Sequence, residues 1–564
     1  MELPPLWVFT PSRTDPKDLE AILVQRHQLL GDAVERIRES VLTGNKHHLL
    51  FVGPRGCGKT HVATLLVSRL TADPALAGHM RIAWLNEDAT CTSLLELFVQ
   101  IHTALERRYP DAYRAEMAAP AYDLEPGDAL TFMADHLLAS LGPRTLVLVA
   151  ENLDALFDGL GDSGQKQLRA FLQENPRISI VATAQRLVES LADRASPFFG
   201  FFQTEHLKPL TVDEATELLR KIARVRGNPE VAAFLATNRG RARVRALHHL
   251  AGGNHRIYSV LAQFITRDSL DTLLGPFLKM VDELTPYYQE RIRWLPPLQR
   301  RIVEHLCARE GTTPVKEIAQ KLFATPQTIS KQLQELREKG YVSSHPRGRE
   351  SLYEISEPLL RICVEVKENQ GLALPSWVAF LRVWYDLSQR GGGEPGSASA
   401  ESPFLRAEEQ LREGRWREGF EAVAQGLKAG AKVHPAYLGD PTALLGVVFS
   451  AGLGLEVRAQ KVGELLRLYQ RHQACPILGA ALMNHLGALY RGGGPFPATD
   501  NLEGWAVAWE HATATLPEFH LATRLLRTGV DFLKAGGRDP AILLDLTAPE
   551  RAILRQAFGL ERAA

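Results

Sequence analysis

Hydrophobic and polar positions in the first two hundred residues follow two alternating patterns. Short, almost continuous apolar runs are separated by longer segments in which apolar residues recur every three or four positions. Such runs are typical of strands buried on both faces, and the longer segments are typical of covering helices. The pattern therefore predicts a parallel α/β sheet. The predicted strands are residues 48–53, 81–86, 145–150, 178–183 and 205–210.

From residue 211 onward the pattern is mainly helical. Thr211 and Glu214 form a capping box that predicts the start of a helix. The stretch RGGGEPGSASAESP at 390–403 has the composition of a flexible linker. We predict five segments: an α/β domain (1–210), a helical lid (211–295), a winged helix-turn-helix (296–370), a helix with a linker (371–403) and a helical, weakly tetratricopeptide-like domain (404–564).

A glycine-rich loop separates the first predicted strand from a helix. The stretch GPRGCGKT matches G-x-x-x-x-G-K-[ST], whose glycines let backbone N–H groups point at phosphate oxygens. The positive end of the next helix adds to this attraction. We expect Lys59 to contact the β- and γ-phosphates of ATP and Thr60 to bind Mg²⁺. The predicted nucleotide-binding residues are Gly53, Pro54, Arg55, Gly56, Cys57, Gly58, Lys59, Thr60 and His61.

Composition limits the remaining classes of protein. The 65 basic and 65 acidic residues cancel, so any affinity for nucleic acid must come from a local patch. The five cysteines include no C-x-x-C pair, which indicates reduced thiols. The N-terminal residues lack a secretory pattern, and the longest uncharged run, 441–455, is short for a membrane span. We expect a soluble, cytoplasmic protein.

With its phosphate loop in this setting, the chain resembles the AAA+ and STAND-type P-loop ATPases. The likeness covers about residues 19–370 and is greatest to the initiator-like branch, which includes origin-recognition and archaeal ATPase-like proteins. It implies an α/β P-loop NTPase fold with a helical lid and a winged helix, followed here by an all-α C-terminal domain. It also implies roles for Arg26 beside the adenine, Thr183 and Gln185 at the tip of a sensor strand, Arg194 as an arginine reaching a neighbouring subunit, and Arg256 over the γ-phosphate.

The stretch LVLVAENLD at 146–154 stands where these ATPases carry their acidic strand end. In one alignment Ala150 takes the metal-side position and Glu151 is the catalytic acid. In the other, which we prefer, Glu151 binds the metal, Asn152 takes the water-activating position and Asp154 completes the D-E-x-D spacing. Asn152 can orient a water but cannot accept its proton, so a base contribution of roughly 10²–10⁴-fold would be missing. This predicts a slow ATPase.

Residues 312–356 predict two helices and a hairpin. Thr325 and Pro326 mark the start of the second helix, and Ile329, Leu333 and Leu336 predict its core face. The segment 296–370 holds 12 basic and 10 acidic residues, so both DNA contact and protein docking stay open. The candidate DNA-binding residues are Gln327, Thr328, Lys331 and Gln334 on the helix, with His345, Arg347 and Arg349 on the hairpin.

Three hypotheses follow. The leading one is a slow switch ATPase that couples its nucleotide state to double-stranded DNA binding and homo-oligomerisation. The second is an ATP-dependent signalling scaffold whose helical C-terminal domain senses a protein partner, without direct DNA contact. The third is a protein that binds nucleotide for structure alone.

Overall fold

The computed structural model describes residues 14–87, 89, 91–185, 194, 196–369, 374–388, 403–430, 441–492 and 499–560. The chain forms two compact units. The first is Met1–Ala232 with Gly253–Ala262, and the second is Ala233–Gly252 with Gln263–Ala564. The predicted linker at 390–403 lies, except for its last residue, outside the described residues.

A five-stranded parallel sheet forms the centre of the first unit. The strand order is β2-β3-β4-β1-β5. Strands β1, β3 and β4 are buried along their whole length, as their continuous apolar sequences predict. The predicted parallel α/β sheet is therefore confirmed. The strands are β1 Leu49–Val52, β2 Met80–Leu85, β3 Thr145–Ala150, β4 Ile178–Ala184 and β5 Gln203–His206.

The prediction for the fifth strand was wrong by two to four residues. Strand β5 lies at the edge of the sheet and consists of the polar residues Gln203–His206. The apolar residues that suggested a strand further on, Leu207 and Leu210, are buried. The backbone N–H of Leu210 donates to the Gly253 carbonyl at 2.8 Å. An edge strand needs no apolar run. The prediction followed the apolar residues and therefore put the strand too far along the chain.

Helices cover the sheet and begin the lid. The predicted capping box at Thr211 and Glu214 is present, with both reciprocal hydrogen bonds formed. The helices of this unit are Pro16–Ala21, His27–Leu42, Lys59–Ala72, Leu94–Arg108, Ala115–Ala118, Pro126–Leu141, Leu153–Glu174, Val212–Val225, Pro229–Leu235 and His255–Leu261. The helix Pro229–Leu235 crosses the boundary between the two units.

The second unit contains the winged helix and the C-terminal helices. Its small sheet has the order β6-β8-β7, with β6 Thr313–Pro314, β7 Val342–Arg347 and β8 Glu350–Ile355. Within the described ranges no helix is long and apolar enough to cross a membrane. The helices are Asn238–Ala251, Arg267–Thr272, Leu274–Arg293, Pro297–Ala308, Val315–Leu322, Pro326–Glu338, Pro358–Asn369, Leu374–Ser388, Pro403–Arg412, Trp416–Gly430, Thr442–Ser450, Leu455–Arg471, Cys475–Arg491, Thr499–Thr513, His520–Lys534 and Ala548–Phe558.

Buried polar pairs join distant helices of the second unit. Arg243 is fully buried and donates to both carboxylate oxygens of Asp386, at 2.6 and 3.0 Å. His249 donates from Nε2 to the Pro549 carbonyl at 2.7 Å, and its Nδ1 accepts from the Tyr385 hydroxyl at 2.9 Å. Burial lowers the pKa of His249 to about 4. The imidazole is therefore neutral in the folded protein and serves as a structural link.

This link predicts acid sensitivity. Because His249 resists protonation when folded, the unfolded chain binds the extra proton between pH 6.5 and about 4. The stability contributed by neutral His249 is complete above pH 6.5 and is lost as pH falls towards 4. We expect wild type to lose about 2 kcal/mol through this residue between pH 7.5 and 5. His249→Gln keeps one hydrogen-bond donor and one acceptor but has no titrating ring. This variant should therefore lose less stability than wild type between pH 7.5 and 5.

Thermal unfolding midpoints at pH 7.5 and 5 measure the difference. His79→Gln, at an exposed histidine, is the matched control and should behave as wild type. An equal acid shift in wild type and His249→Gln would show that His249 does not contribute.

Candidate nucleotide site and winged helix

The phosphate loop joins β1 to the helix Lys59–Ala72. Gly56 and Gly58 have φ of +83° and +92°, a left-handed backbone conformation that residues with a side chain rarely adopt. A Cβ on Gly56 would lie 2.7 Å from Asn254 Oδ1, and one on Gly58 would lie 2.9 Å from Arg26 Nη1. The loop therefore requires glycine both for its backbone conformation and for the close approach of two distant segments.

The Arg26 side chain supports the loop by binding main-chain carbonyl groups. It is buried and donates to the carbonyls of Gly58, at 3.5 Å, and Lys208, at 3.3 Å. Burial lowers the pKa of Arg26, and nearby Cys57 and Glu214 oppose this shift. Contact with adenine, implied by the family resemblance, stays a prediction for this residue.

Residues 253–256 of the predicted lid contact the loop within the first unit. Asn254 donates from Nδ2 to the Arg55 carbonyl at 2.9 Å and accepts from the Arg256 N–H at 3.0 Å. The same Arg256 N–H donates to the Gly56 carbonyl at 3.0 Å. This segment is therefore attached to the loop by backbone and side-chain bonds.

The ammonium group of Lys59 is bonded to the loop and is influenced by other positive charges nearby. Lys59 donates from Nζ to the carbonyls of Gly53, at 2.7 Å, and Pro54, at 3.2 Å. Burial lowers the pKa of Lys59, Asp154 opposes this, and the charges of Arg256 and Arg55 add to it. A concentration of positive charge beside inward-curled backbone favours an anion such as a phosphate.

Two carboxyl groups face this positive region. Burial raises the pKa of the Glu151 carboxyl group, and nearby Thr60 opposes this shift. Burial also raises the pKa of Asp154, whose Oδ2 accepts from the Gln185 N–H at 3.4 Å. In the part of the chain that the structure describes, Glu151 Oε1 and Asp154 Oδ1 are buried without a hydrogen-bond partner. An open carboxylate oxygen such as Glu151 Oε1, with Thr60 nearby, suits Mg²⁺.

Asn152 has a backbone role at the end of β3. Its φ of +60° and ψ of +50° place it in the left-handed region, which asparagine tolerates better than most side chains. Its N–H donates to Thr183 Oγ1 at 3.2 Å. Thr183 and Gln185, the predicted sensor residues, thus contact the acidic segment next to the loop. Their catalytic role stays a prediction.

The other predicted residues have varied surroundings. Cys57 is buried, and His61 donates from Nε2 to the Leu19 carbonyl at 3.0 Å, away from the loop. Arg55 is exposed and pairs with Glu87 at 3.4 Å. Arg194 is exposed, while residues 186–193 and 195 lie outside the described part of the chain.

Sequence reasoning missed Asn254 and gave Asp154 no chemical role. Asn254 lies two residues before Arg256 and Asp154 lies three residues after Glu151, so each spacing was a usable signal.

The second helix of the winged helix, Pro326–Glu338, starts where it was predicted to start. We call it the recognition helix. Thr325 Oγ1 accepts from the Thr328 N–H at 3.2 Å, and Pro326 is the first helical residue. The predicted core residues Ile329, Leu333 and Leu336 are fully buried. The four predicted DNA-binding residues of this helix are exposed: Gln327, Thr328, Lys331 and Gln334.

The hairpin residues are engaged by acids. His345 Nε2 lies 2.6 Å from Glu354 Oε1, and Glu354 also pairs with Arg551 of the last helix. Arg347 Nη1 lies 3.8 Å from Asp545 Oδ1. Arg349 is exposed. Part of the positive charge predicted for the hairpin is therefore neutralised within the chain.

Further contacts attach the winged helix to the C-terminal domain. The N–H and hydroxyl of Thr312 donate to the Leu544 carbonyl, at 3.1 and 3.0 Å. A Cβ on Gly311 would lie 2.4 Å from the Asp545 carbonyl oxygen. Glu310 pairs with Arg524. No sequence pattern predicted this interface, because its partners are more than two hundred residues apart.

Comparisons with known proteins found one family model and several solved structures that are similar to parts of this chain. A MarR family model matches residues 295–349. No curated protein matches the chain by sequence. A Walker-type ATPase of Pyrococcus abyssi is 14% identical, with 61% of this chain and 96% of that chain covered and a TM-score of 0.41. The Aeropyrum pernix ORC1 protein, solved in complex with DNA, is 16% identical over 65% and 97%, with a TM-score of 0.40.

The Aeropyrum pernix ORC2 protein in its ADP form is 13% identical over 66% and 100%, with a TM-score of 0.41. These are proteins of the class that the sequence resembles, but identities and TM-scores this low say nothing about activity or ligands. The parallel sheet and glycine-rich loop of this chain, with its matched winged helix, define an α/β P-loop NTPase fold joined to a winged helix and an all-α C-terminal domain.

The bond from Asn254 to the loop gives a prediction. Asn254→Ala removes one hydrogen bond to the Arg55 carbonyl and one to the Arg256 N–H. The two bonds contribute about 2 kcal/mol together, so their loss should weaken ATP affinity by up to about 30-fold by loosening the loop. Calorimetric titration with ATP measures this effect. Asn228→Ala, at an exposed position, is the control, and equal affinities in both variants would contradict the prediction.

Proposed function

We propose that the protein is a slow switch ATPase that couples the ATP-bound state to DNA binding and self-association. ATP binding is supported by the left-handed glycines, the positive charges of Arg55 and Arg256 near Lys59, and the lid segment bonded to the loop. The observation that carries the proposal is the meeting of the loop, the lid segment and two half-buried carboxyl groups at one end of the sheet.

The chain's own residues account for the proposed chemistry. Lys59 contacts the phosphates, Arg256 balances charge near the γ-phosphate, and the closed lid keeps bulk water out. When bound, Mg²⁺ held by Thr60 and Glu151 would neutralise phosphate charge. Phosphoryl transfer depends mainly on positioning and charge stabilisation, so an asparagine at position 152 is compatible with slow turnover.

Coupling between lid and nucleotide supports a switch. Asn254 and Arg256 bond to the loop that would hold the phosphates, so ATP and ADP would favour different arrangements of this segment. Exposed Arg194 is a candidate to reach a neighbouring copy of the chain, and this is the basis for proposing self-association.

DNA binding is supported by the recognition helix. Its exposed face carries amide, hydroxyl and ammonium groups, which hydrogen bond to base edges and phosphates.

Protein docking in place of DNA contact, the other role left open for the winged helix, is supported by two exposed aromatic residues. Phe323, in the turn before the recognition helix, is 93% exposed, and Trp294 is 80% exposed. We favour DNA because the polar residues form a continuous face on one helix.

Loss of Lys59 tests the nucleotide proposal. Lys59→Ala removes the ammonium group that would contact the phosphates, so we expect ATP affinity to fall at least tenfold and hydrolysis to disappear. Wild type should turn over well below the ~10 s⁻¹ typical of enzymes. ATP binding and phosphate release measure both quantities. Lys166→Ala, at an exposed lysine, controls for the lost charge; ATP binding unaffected by Lys59→Ala would refute the proposal.

Gel-shift titrations at several salt concentrations test DNA binding. Lys331→Ala should weaken duplex binding and reduce the slope of log affinity against log salt by about 1, since one phosphate contact is lost. Asp545→Asn should strengthen binding up to about fivefold, because it frees Arg347 from an exposed ion pair.

Lys428→Ala, an equal charge change on an exposed helix of the C-terminal domain, is the control. Binding that is absent or insensitive to salt in the wild type would favour the scaffold. Equal effects of Lys331→Ala and Lys428→Ala would remove the recognition helix from the interface.

A further inference from the structure

The position that resembled ATPases reserve for a water-activating acid holds Asn152, an amide. Its left-handed backbone and its N–H bond to Thr183 account for asparagine there without a proton-transfer role. A hydrolytic site on this chain would therefore draw its proton acceptor from another side chain. The candidate must be a carboxyl group or imidazole within the same pocket, with an open acceptor atom.

Asp154 meets these requirements. It lies in the first turn of the helix Leu153–Glu174, where the positive helix end stabilises a carboxylate. Its Oδ2 is held by the Gln185 N–H, which fixes the orientation of the group. Its Oδ1 is buried and, among the described residues, has no hydrogen-bond partner. The carboxylate is also close enough to Lys59 to interact with its charge.

Glu151 Oε1 and His255 Nδ1 are also buried without a hydrogen-bond partner in the part of the chain that the structure describes. Glu151, however, is the carboxyl group that the proposed function assigns to Mg²⁺, beside Thr60. His255 is buried, and its ring lies about 4 Å from where a Cβ of Gly58 would stand, behind the loop backbone. Asp154 is thus the carboxylate that combines a fixed orientation with an open oxygen.

We infer that Asp154, and not Asn152, is the general base of this site. This inference rests on the proposed ATP hydrolysis and names the residue that performs it. The attacking water forms a bond from its oxygen to the γ-phosphorus while the bond from that phosphorus to the β–γ bridging oxygen breaks. Asp154 Oδ1 takes one proton of the water, and ADP and inorganic phosphate are the products. Asn152 then orients the water at most, through its side-chain amide.

The test separates binding from chemistry. Asp154→Asn keeps an acceptor for the Gln185 N–H but removes the basic oxygen. We expect its ATP affinity to stay within about threefold of wild type, while single-turnover hydrolysis slows at least about 10²-fold. After ATP is added and free nucleotide is removed, chromatography of the bound nucleotide should give ATP from this variant and mainly ADP from wild type.

Three further variants sharpen the result. Asp154→Glu keeps a carboxylate and should be at least about tenfold faster than Asp154→Asn. Asn152→Ala should hydrolyse ATP at least about tenfold faster than Asp154→Asn. Asp158→Asn, one turn along the same helix and exposed, is the matched control and should behave as wild type.

The outcomes distinguish the two claims. If Asp154→Asn hydrolyses bound ATP within about threefold of wild type, or if Asn152→Ala is the slower variant, the inference is wrong and the ATPase proposal stands. If wild type binds ATP without any turnover, no residue acts as base and the inference fails. If wild type does not bind ATP, the proposed function fails first, and the inference with it.

Discussion

The partial burial of two carboxyl groups near a half-buried lysine is the constraint on which the candidate nucleotide site depends. Removing Glu151 and Asp154 from water is costly unless each finds a partner, and burial raises the pKa of both. The Gln185 N–H donates to Asp154 Oδ2, and one buried oxygen of each carboxyl group, Glu151 Oε1 and Asp154 Oδ1, has no hydrogen-bond partner among the described residues. The fully buried strand β3 holds these groups in place. A packed sheet thus maintains a polar arrangement that suits a bound ligand.

The conformation of the phosphate loop depends on two segments far away in sequence. Arg26 approaches Gly58 from before β1, and Asn254 approaches Gly56 from the lid. Left-handed glycines allow both approaches, since a side chain at either position would collide with a polar group. The loop therefore cannot change conformation without affecting the lid. This physical link is what a nucleotide-dependent switch requires.

The winged helix presents one open surface and one engaged surface. The recognition helix exposes its polar face, whereas Arg347 on the hairpin is paired with Asp545 from the C-terminal domain. A phosphate approaching the hairpin would compete with this carboxylate. In a chain with no net charge, internal pairing of this kind decides which basic residues are available to a partner.

Local features of this protein were readable from sequence because neighbouring residues determine them. The phosphate loop, the capping box at Thr211 and the start of the recognition helix at Pro326 depend on contacts within a few positions, and all three elements form as predicted. Strand β5 was misplaced because an edge strand needs only backbone pairing, which leaves no hydrophobic pattern. Only the tertiary structure decided that Asn254 bonds to the loop, that Asp154 has an open buried oxygen and that Asp545 pairs with Arg347. The two contacts join segments that are distant in sequence, and the open oxygen depends on what packs around Asp154. Tertiary packing, not local preference, therefore decides all three.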